Sequence, residues 1–342
     1  MNEVKFYDAF CGIGGFHLGI TQAHPDWECA GACDIDKHAR KIYGKHFPGV
    51  RIDDDIRKLD GLPEGTDMFC GGFPCQSFSI AGKRGGFEDT RGTLFFEIAR
   101  LLKVSRPKWV FLENVKGLLS HDNGRTFGTI LYTLGELGYW WEYQVLNSKD
   151  FGVPQNRERV FIVGHLAGER SSPLFPLGEG GGLPDTEQGG TPFAFHALTS
   201  SDYKGVSRQR PNCIQQINNP AHAGNRVYSQ DGVSPSLTAR AREDQCASPK
   251  IAIPVLTPGR MEKRQDGRRF KEDGEPAFTL SAQDKHGIYD GATIRRLTEV
   301  ECERLQGFPD GWTEGISASQ RYKCLGNAVT VNVIRAIAER MG

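Results

Sequence analysis

Over its first 165 residues the chain alternates short apolar runs with longer stretches whose apolar residues recur at helical spacing. Val4 to Ala9, Trp27 to Cys33, Met68 to Cys70, Trp109 to Leu112, Trp140 to Leu146 and Val160 to Val163 predict strands. Between them, Gly92 to Val104 sets Leu94, Ile98, Leu101 and Leu102 on one face and predicts a helix. Strands alternating with helices imply an α/β fold, a mainly parallel sheet covered on both sides. The first four strands end at Cys11-Gly12, Asp34, Cys75 and Glu113-Asn114. In such folds ligands sit at the carboxyl ends of the strands.

The pattern changes at residues 168–191, where Gly180-Gly181-Gly182 and Gly189-Gly190 signal a linker. Beyond it, Arg226 to Arg240 and Arg269 to Gln283 look like loose copies of each other. Each has an Asp-Gly, at Asp231-Gly232 and Asp273-Gly274, which predicts a tight hairpin. A smaller β-rich domain with long loops is expected here. Helical spacing returns near Ala292, and one last helix is expected from Asn327 to Met341, with Val329, Val333, Ile334 and Ile337 packed onto the first domain. The expected domains are 1–167, 168–290 and a returning segment 291–342.

The 342 residues are 38% hydrophobic and 25% charged, an ordinary globular composition. No apolar run approaches the roughly 20 residues that span a bilayer, and Met1 to Lys5 leads straight into a strand without a signal peptide. A cytoplasmic protein with no membrane partner is expected. The nine cysteines are scattered. Cys29 and Cys33 have no second pair nearby, so no metal is expected. The chain carries no net charge, yet residues 201–271 hold 13 Lys and Arg against 6 Asp and Glu. A basic segment on a neutral protein suits a polyanion held by one domain, although a solvated charged face gives the same count.

Several stretches carry candidate chemistry. In Gly71-Gly72-Phe73-Pro74-Cys75-Gln76-Ser77 a cysteine follows a proline that stiffens the turn, which presents a thiol as a nucleophile; a small buried residue is the plainer alternative. Asp8-Ala9-Phe10-Cys11-Gly12-Ile13-Gly14-Gly15 is a glycine-rich turn after a strand, with Asp34 placed for ribose hydroxyls 20 residues after Gly14; a tight strand-to-helix turn with no ligand is an equal alternative. His17 occupies the third glycine position of the dinucleotide pattern, so a nucleoside cofactor without a pyrophosphate, such as S-adenosylmethionine, fits better. Glu113 ends a buried strand, where desolvation raises a carboxyl pKa; taken alone, an N-cap or salt bridge is the plainer reading. Arg157 and Arg159, two apart on a strand, point to one side and suit an anion, or an ion-pair ladder with Glu158.

Taken in order, these stretches resemble the DNA (cytosine-5)-methyltransferases of bacterial restriction–modification systems. The similarity covers Asp8 to Gly15, Asp34, Asp55-Ile56, Gly72 to Gln76, Gly82 to Ala99, Glu113-Asn114-Val115, Gln155 to Arg159, Arg295 to Thr298, Leu305 to Pro309 and Tyr322 to Val329. The match is weak over about 168–290. The resemblance implies a Rossmann-like methyltransferase domain plus a β-rich target-recognition domain. Its cofactor is S-adenosylmethionine, leaving as S-adenosylhomocysteine, and its partner is double-stranded DNA.

By the same resemblance, Cys75 attacks C6 of a cytosine flipped out of the duplex. Glu113 assists at N3, Arg159 holds O2, and Arg157 lowers the thiol pKa. Asp8, Phe10, Gly12, Ile13, Gly14 and Pro74 line the cofactor site, with Asp34 on the ribose and Asp55 and Ile56 near the adenine. Asn327 and Ala328 close it. Asp34 stands where the family usually has Glu, and Ile35 where an aromatic often stacks. Candidates for reading the DNA are Arg226, Arg240, Arg242, Thr279, Gln283 and Lys285, with His286 in the same loop; Arg suits guanine and Gln suits adenine. A monomer is expected, with a separately encoded endonuclease as a partner of the system.

Overall fold

The computed structural model describes residues 4–74, 94–166, 173–177, 253–256, 258, 268, 270–272, 274–282, 284–289 and 294–341. Cys75, Arg226, Arg240, Arg242 and Gln283 lie outside them, as does the segment expected to repeat from Arg226 to Arg240.

Seven strands form the main sheet: β1 (Lys5–Ala9), β2 (Glu28–Cys33), β3 (Ile52–Asp53), β4 (Met68–Gly72), β5 (Trp109–Val115), β6 (Tyr139–Asn147) and β7 (Glu158–Leu166). Their order is β3-β2-β1-β4-β5-β7-β6. The first five in space run parallel, and β7 runs antiparallel to both neighbours. Strand order reverses between β1 and β4, which opens a crevice at their carboxyl ends.

Alternation along each strand feeds two cores. Phe69, Val110, Leu112, Val160 and Ile162 face α3 (Leu94–Ser105) and α4 (Arg125–Glu136), packing on Ile98, Leu102, Ile130 and Leu134. Met68, Cys70, Phe111 and Phe161 face the other way. They pack on Phe16 and Ile20 of α1 (Gly15–Ala23) and on Val333, Ile334 and Ile337 of the last helix. That residues of both faces are buried explains why these strands read as continuous apolar runs.

The C-terminal segment folds back over the crevice. It carries α5 (Glu299–Leu305), α6 (Ala318–Asn327) and α7 (Val331–Ala338), and α2 (Lys37–His46) lies beneath. Phe308, Trp312, Leu325 and Val331 pack there with Ile13, Ala39 and Ile42. The helix expected over Asn327 to Met341 is shorter, Val331–Ala338: Asn327 is the last residue of α6, Ala328 is extended, and α7 starts only after the extended N-cap Thr330. Val329, Val333, Ile334 and Ile337 nonetheless pack onto the first domain as expected.

A small antiparallel sheet joins β8 (Ile253–Leu256), β9 (His286–Tyr289) and β10 (Ile294–Arg296). Residues 294–296 are thus a strand of this sheet, and helix begins only at Glu299, behind a capping box of Thr298 and Glu301. Gly274 has the turn conformation (φ 76°), and Glu275 N donates to Glu272 O (3.2 Å) across it. Phe270 bridges to Val255 of β8 and Ala277 to Gln155, in the loop before β7, so among the described residues this segment pairs with its surroundings on both sides of the turn. Among the described residues no helix is long and apolar enough to cross a membrane.

Candidate active site

At the end of β1 the backbone turns through three left-handed residues, Phe10 (φ 55°), Gly12 (φ 55°) and Gly14 (φ 90°). Phe10 is uncommon there because its Cβ crowds the backbone. Gly14 is required twice over, since a Cβ on it would sit 2.3 Å from the Phe47 ring. The turn is closed by Gly14 N donating to Cys11 O (2.8 Å) and tied to β2 by Cys11 N donating to Cys33 O (3.0 Å). Asp34 completes the tie: its carboxylate accepts from Gly12 N (2.8 Å) and Asp36 N (2.7 Å). Burial pushes the Asp34 pKa up, against the pull of those two amides.

These residues fit a nucleoside cofactor without a pyrophosphate. Each Asp34 oxygen accepts one backbone bond and keeps a lone pair for a hydroxyl. The N-terminus of α1 has no side-chain cap, which suits a carboxylate. The nearby cations are engaged: Arg40 donates to Asp34 O, and Arg57 forms a pair with Asp55. Asp55 also caps the 3₁₀ turn Ile56–Lys58, and Arg57 holds its carboxyl down to about 2. Ile35 is 73% exposed beside Asp34, Ile56 is buried, and Asn327 and Ala328 lie where α6 ends.

Two of the expected cofactor residues act from behind. Asp8 is fully buried under the turn, and burial pushes its pKa well up. The His17 amide and Tyr43 hydroxyl beside it oppose that shift, without completing a hydrogen bond to it. The Ile13 side chain is in the core with Phe308 and Trp312, so only its backbone faces the turn.

The second half of the site lies at the ends of β4 and β5. Gly72 is in register with Glu113, and a Cβ on Gly72 would stand 2.8 Å from Glu113 Oε2. Asn114 donates from Nδ2 to Phe73 O (2.8 Å), just before Pro74. Arg159 crosses from β7 and places Nε 3.0 Å from Glu113 Oε1, with both side chains largely buried. Burial raises the Glu113 pKa, and Arg159, then Arg157, oppose it. Lys116 pairs with Glu158, so the expected ladder partner of the arginines is taken elsewhere.

Arg157 and Arg159 do not hold one anion together. Arg157 is 2% exposed and donates to Leu280 O (2.8 Å), Gly326 O (3.2 Å) and Ala328 O (2.7 Å). Burial brings its pKa down to about 9. It fastens β7 to the C-terminal segment, and Gln155 reinforces the joint by donating to Leu305 O and accepting from Leu280 N.

Of the candidate DNA readers within the described residues, Lys285 is exposed, whereas the Thr279 hydroxyl is bound to Asn156 O. His286 is buried, and burial takes its pKa down to about 4, so it is a core residue of β9 instead of a base reader. Sequence reasoning missed Arg40, Phe47 and Trp312, all of which support the glycine turn; nothing in their local sequence marks them.

The model of the C-5 cytosine-specific DNA methylase family matches residues 4–342. The orphan methyltransferase M.SPRI of Bacillus phage SPR is 35% identical, over 100% of this chain and 98% of that protein. The type II methyltransferase M1.ScrFI of Lactococcus lactis subsp. cremoris is 36% identical, over 99% of this chain and 78% of that one. A crystal structure of a Spodoptera frugiperda DNMT2 mutant superposes with a TM-score of 0.61 at 18% identity, covering 97% and 98% of the two chains, a likeness of fold.

Proposed function

The chain belongs to the C-5 cytosine-specific DNA methylase family, and from that premise we propose that it methylates C5 of a cytosine within a short specific site of duplex DNA. The observation that supports this reading best is the buried Glu113–Arg159 pair, set beside the turn that leads into Cys75 and across the crevice from the glycine turn.

Cytosine is a poor electrophile, so attack at C6 needs electron demand at N3. Glu113, whose carboxyl burial shifts toward its acid form, donates toward N3 while the Cys75 thiolate bonds to C6. The electron pair displaced by the thiolate makes C5 nucleophilic, and Arg159 hydrogen-bonds O2 as charge develops. S-adenosylmethionine, when bound, supplies a methyl group on a sulfonium. A bound water takes the C5 proton, the C5–H electrons restore the ring, and Cys75 leaves as thiolate. Gly12, Gly14 and Asp34 hold the cofactor, with Asp55 toward its adenine.

The target base cannot be reached inside a duplex, so it is flipped into the crevice. Arg226, Arg240, Arg242, Gln283 and Lys285 are the proposed contacts to DNA, some to bases and more to phosphate. Relatives named type II methyltransferases support a restriction–modification role, in which methylation protects a site from a separately encoded endonuclease.

The test is base-resolution 5-methylcytosine sequencing of DNA from a non-methylating host expressing the chain or its Cys75→Ala variant. Methylation confined to one short motif and lost in the variant is expected. Methylation that survives in the variant would overturn the mechanism, and none from folded wild type would overturn the substrate.

A further inference from the structure

Trp312 lies in the C-terminal segment, 299 residues from Ile13, yet its indole Nε1–H donates to Ile13 O at 2.8 Å. That carbonyl belongs to the Ile13–Gly14 peptide, inside the left-handed turn. A backbone that alternates through such conformations has neighbouring wells available to it, so an external hydrogen bond is needed to select one.

The indole is itself held on every side. It stacks on His46 with ring centres 3.7 Å apart and planes 3° from parallel, and His46 Nε2 hydrogen-bonds Trp312 O at 2.7 Å. Phe47 and Phe308 pack against its ring. The residues flanking it are anchored to one carboxylate: Glu303 accepts from Gly311 N (2.7 Å) and Thr313 N (2.8 Å). Glu303 is fully buried and paired with Arg321 at 3.0 Å. Burying a carboxylate is costly, so a pair whose bonds converge on the two peptides around Trp312 marks that geometry as one the fold maintains.

We propose that Trp312 is a positioning residue for cofactor binding: its indole N–H fixes the Ile13 carbonyl and thereby holds the glycine turn in its ligand-ready shape. This rests on the reading of that turn as the S-adenosylmethionine cradle. It makes cofactor affinity a property of the C-terminal segment as well as of the first domain.

The test compares S-adenosylhomocysteine binding by calorimetry, and KM for S-adenosylmethionine against kcat, in the full chain. Two variants remove the N–H: Trp312→Phe, and 3-benzothienylalanine at position 312, which replaces the N–H by sulfur in a ring system of the same shape and so keeps the stack. Both are expected to raise Kd and KM roughly three- to tenfold, the effect of one buried hydrogen bond, with a smaller change in kcat at saturation. A merely structural role would lower the melting temperature and leave the Kd of the folded fraction unmoved. Wild-type Kd in the benzothienylalanine protein overturns the proposal. Asp34→Ala separates the two readings: if it too leaves Kd unchanged, the cradle reading fails. If it weakens binding while both Trp312 changes do not, only the role of Trp312 fails.

Discussion

The side-chain amide of Asn114 donates to the carbonyl of Phe73 at 2.8 Å, and so ties the end of β5 to the turn that leads into Pro74 and Cys75. Pro74 fixes one dihedral of that turn, and the Asn114 bond fixes the peptide before it. Asn114→Ala is therefore expected to lower the single-turnover methylation rate by about 10- to 100-fold, the effect of a nucleophile displaced by up to an ångström. Cofactor affinity is expected to hold. Rapid-quench kinetics on a duplex substrate checks this, and a wild-type rate would show that the Phe73 peptide needs no such anchor.

Glu113 and Arg159 predict the alkaline limb of the pH–rate profile. Burial raises the Glu113 pKa, so its acid form persists to higher pH than an exposed glutamate allows. A carboxyl that must donate a proton stops working as pH rises through that raised value. Arg159 opposes the rise, so Arg159→Gln is expected to move the limb to higher pH while lowering kcat. Glu113→Gln is expected to remove the limb and to cost roughly 10²- to 10⁴-fold in kcat. A limb that stays in place in Glu113→Gln would assign it to another group.

Much of this arrangement was legible from periodicity. The six strands were visible because their apolar runs are buried on both faces, and the site residues because they fall at strand ends. β3 was not, being two residues long and only half-buried. β5 and β7 extend past their apolar cores through Glu113, Asn114, Glu158 and Arg159, because ladder pairing, not hydrophobicity, carries those ends. The reversed direction of β7 leaves no trace in a side-chain pattern. The break between α6 and α7 falls at Ala328-Val329-Thr330, which holds no Gly or Pro; its signal is the Gly326-Asn327 just before it. The tasks of Arg157 and Trp312 depend on carbonyls 123 and 299 residues away, which no local pattern encodes.

Arg157 tests whether a buried guanidinium activates a thiol or holds a joint. Its terminal nitrogens serve three carbonyls from two separate segments, a geometry lysine cannot reproduce with one point charge. Arg157→Lys and Arg157→Met are both expected to lose roughly 3 kcal/mol or more in urea unfolding, because buried carbonyls are left unmet. If Arg157 acted chiefly on Cys75, Arg157→Lys would keep the stability of the wild type, and only Arg157→Met would slow alkylation of that thiol at fixed pH.

Two buried histidines each contribute a loss of stability in acid. Burial holds His17 and His286 down to about 4, against an ordinary value near 6.5. Below that ordinary value the unfolded chain takes up protons that the folded chain refuses, so stability is lost as pH falls from 6.5 toward 4. Linkage gives a loss of roughly 2 kcal/mol per histidine between pH 7 and pH 5. His17→Gln is expected to remove one share of that dependence, read from urea midpoints at the two pH values. A loss in His17→Gln equal to that of wild type would mean that this ring is not held neutral. His17 stacks on Phe47 at 3.6 Å and shares a hydrogen bond with Tyr43, and Phe47 is the ring that Gly14 leaves room for. Protonating His17 therefore loosens the support of the glycine turn, and S-adenosylhomocysteine binding is expected to weaken on acidification more in wild type than in His17→Gln.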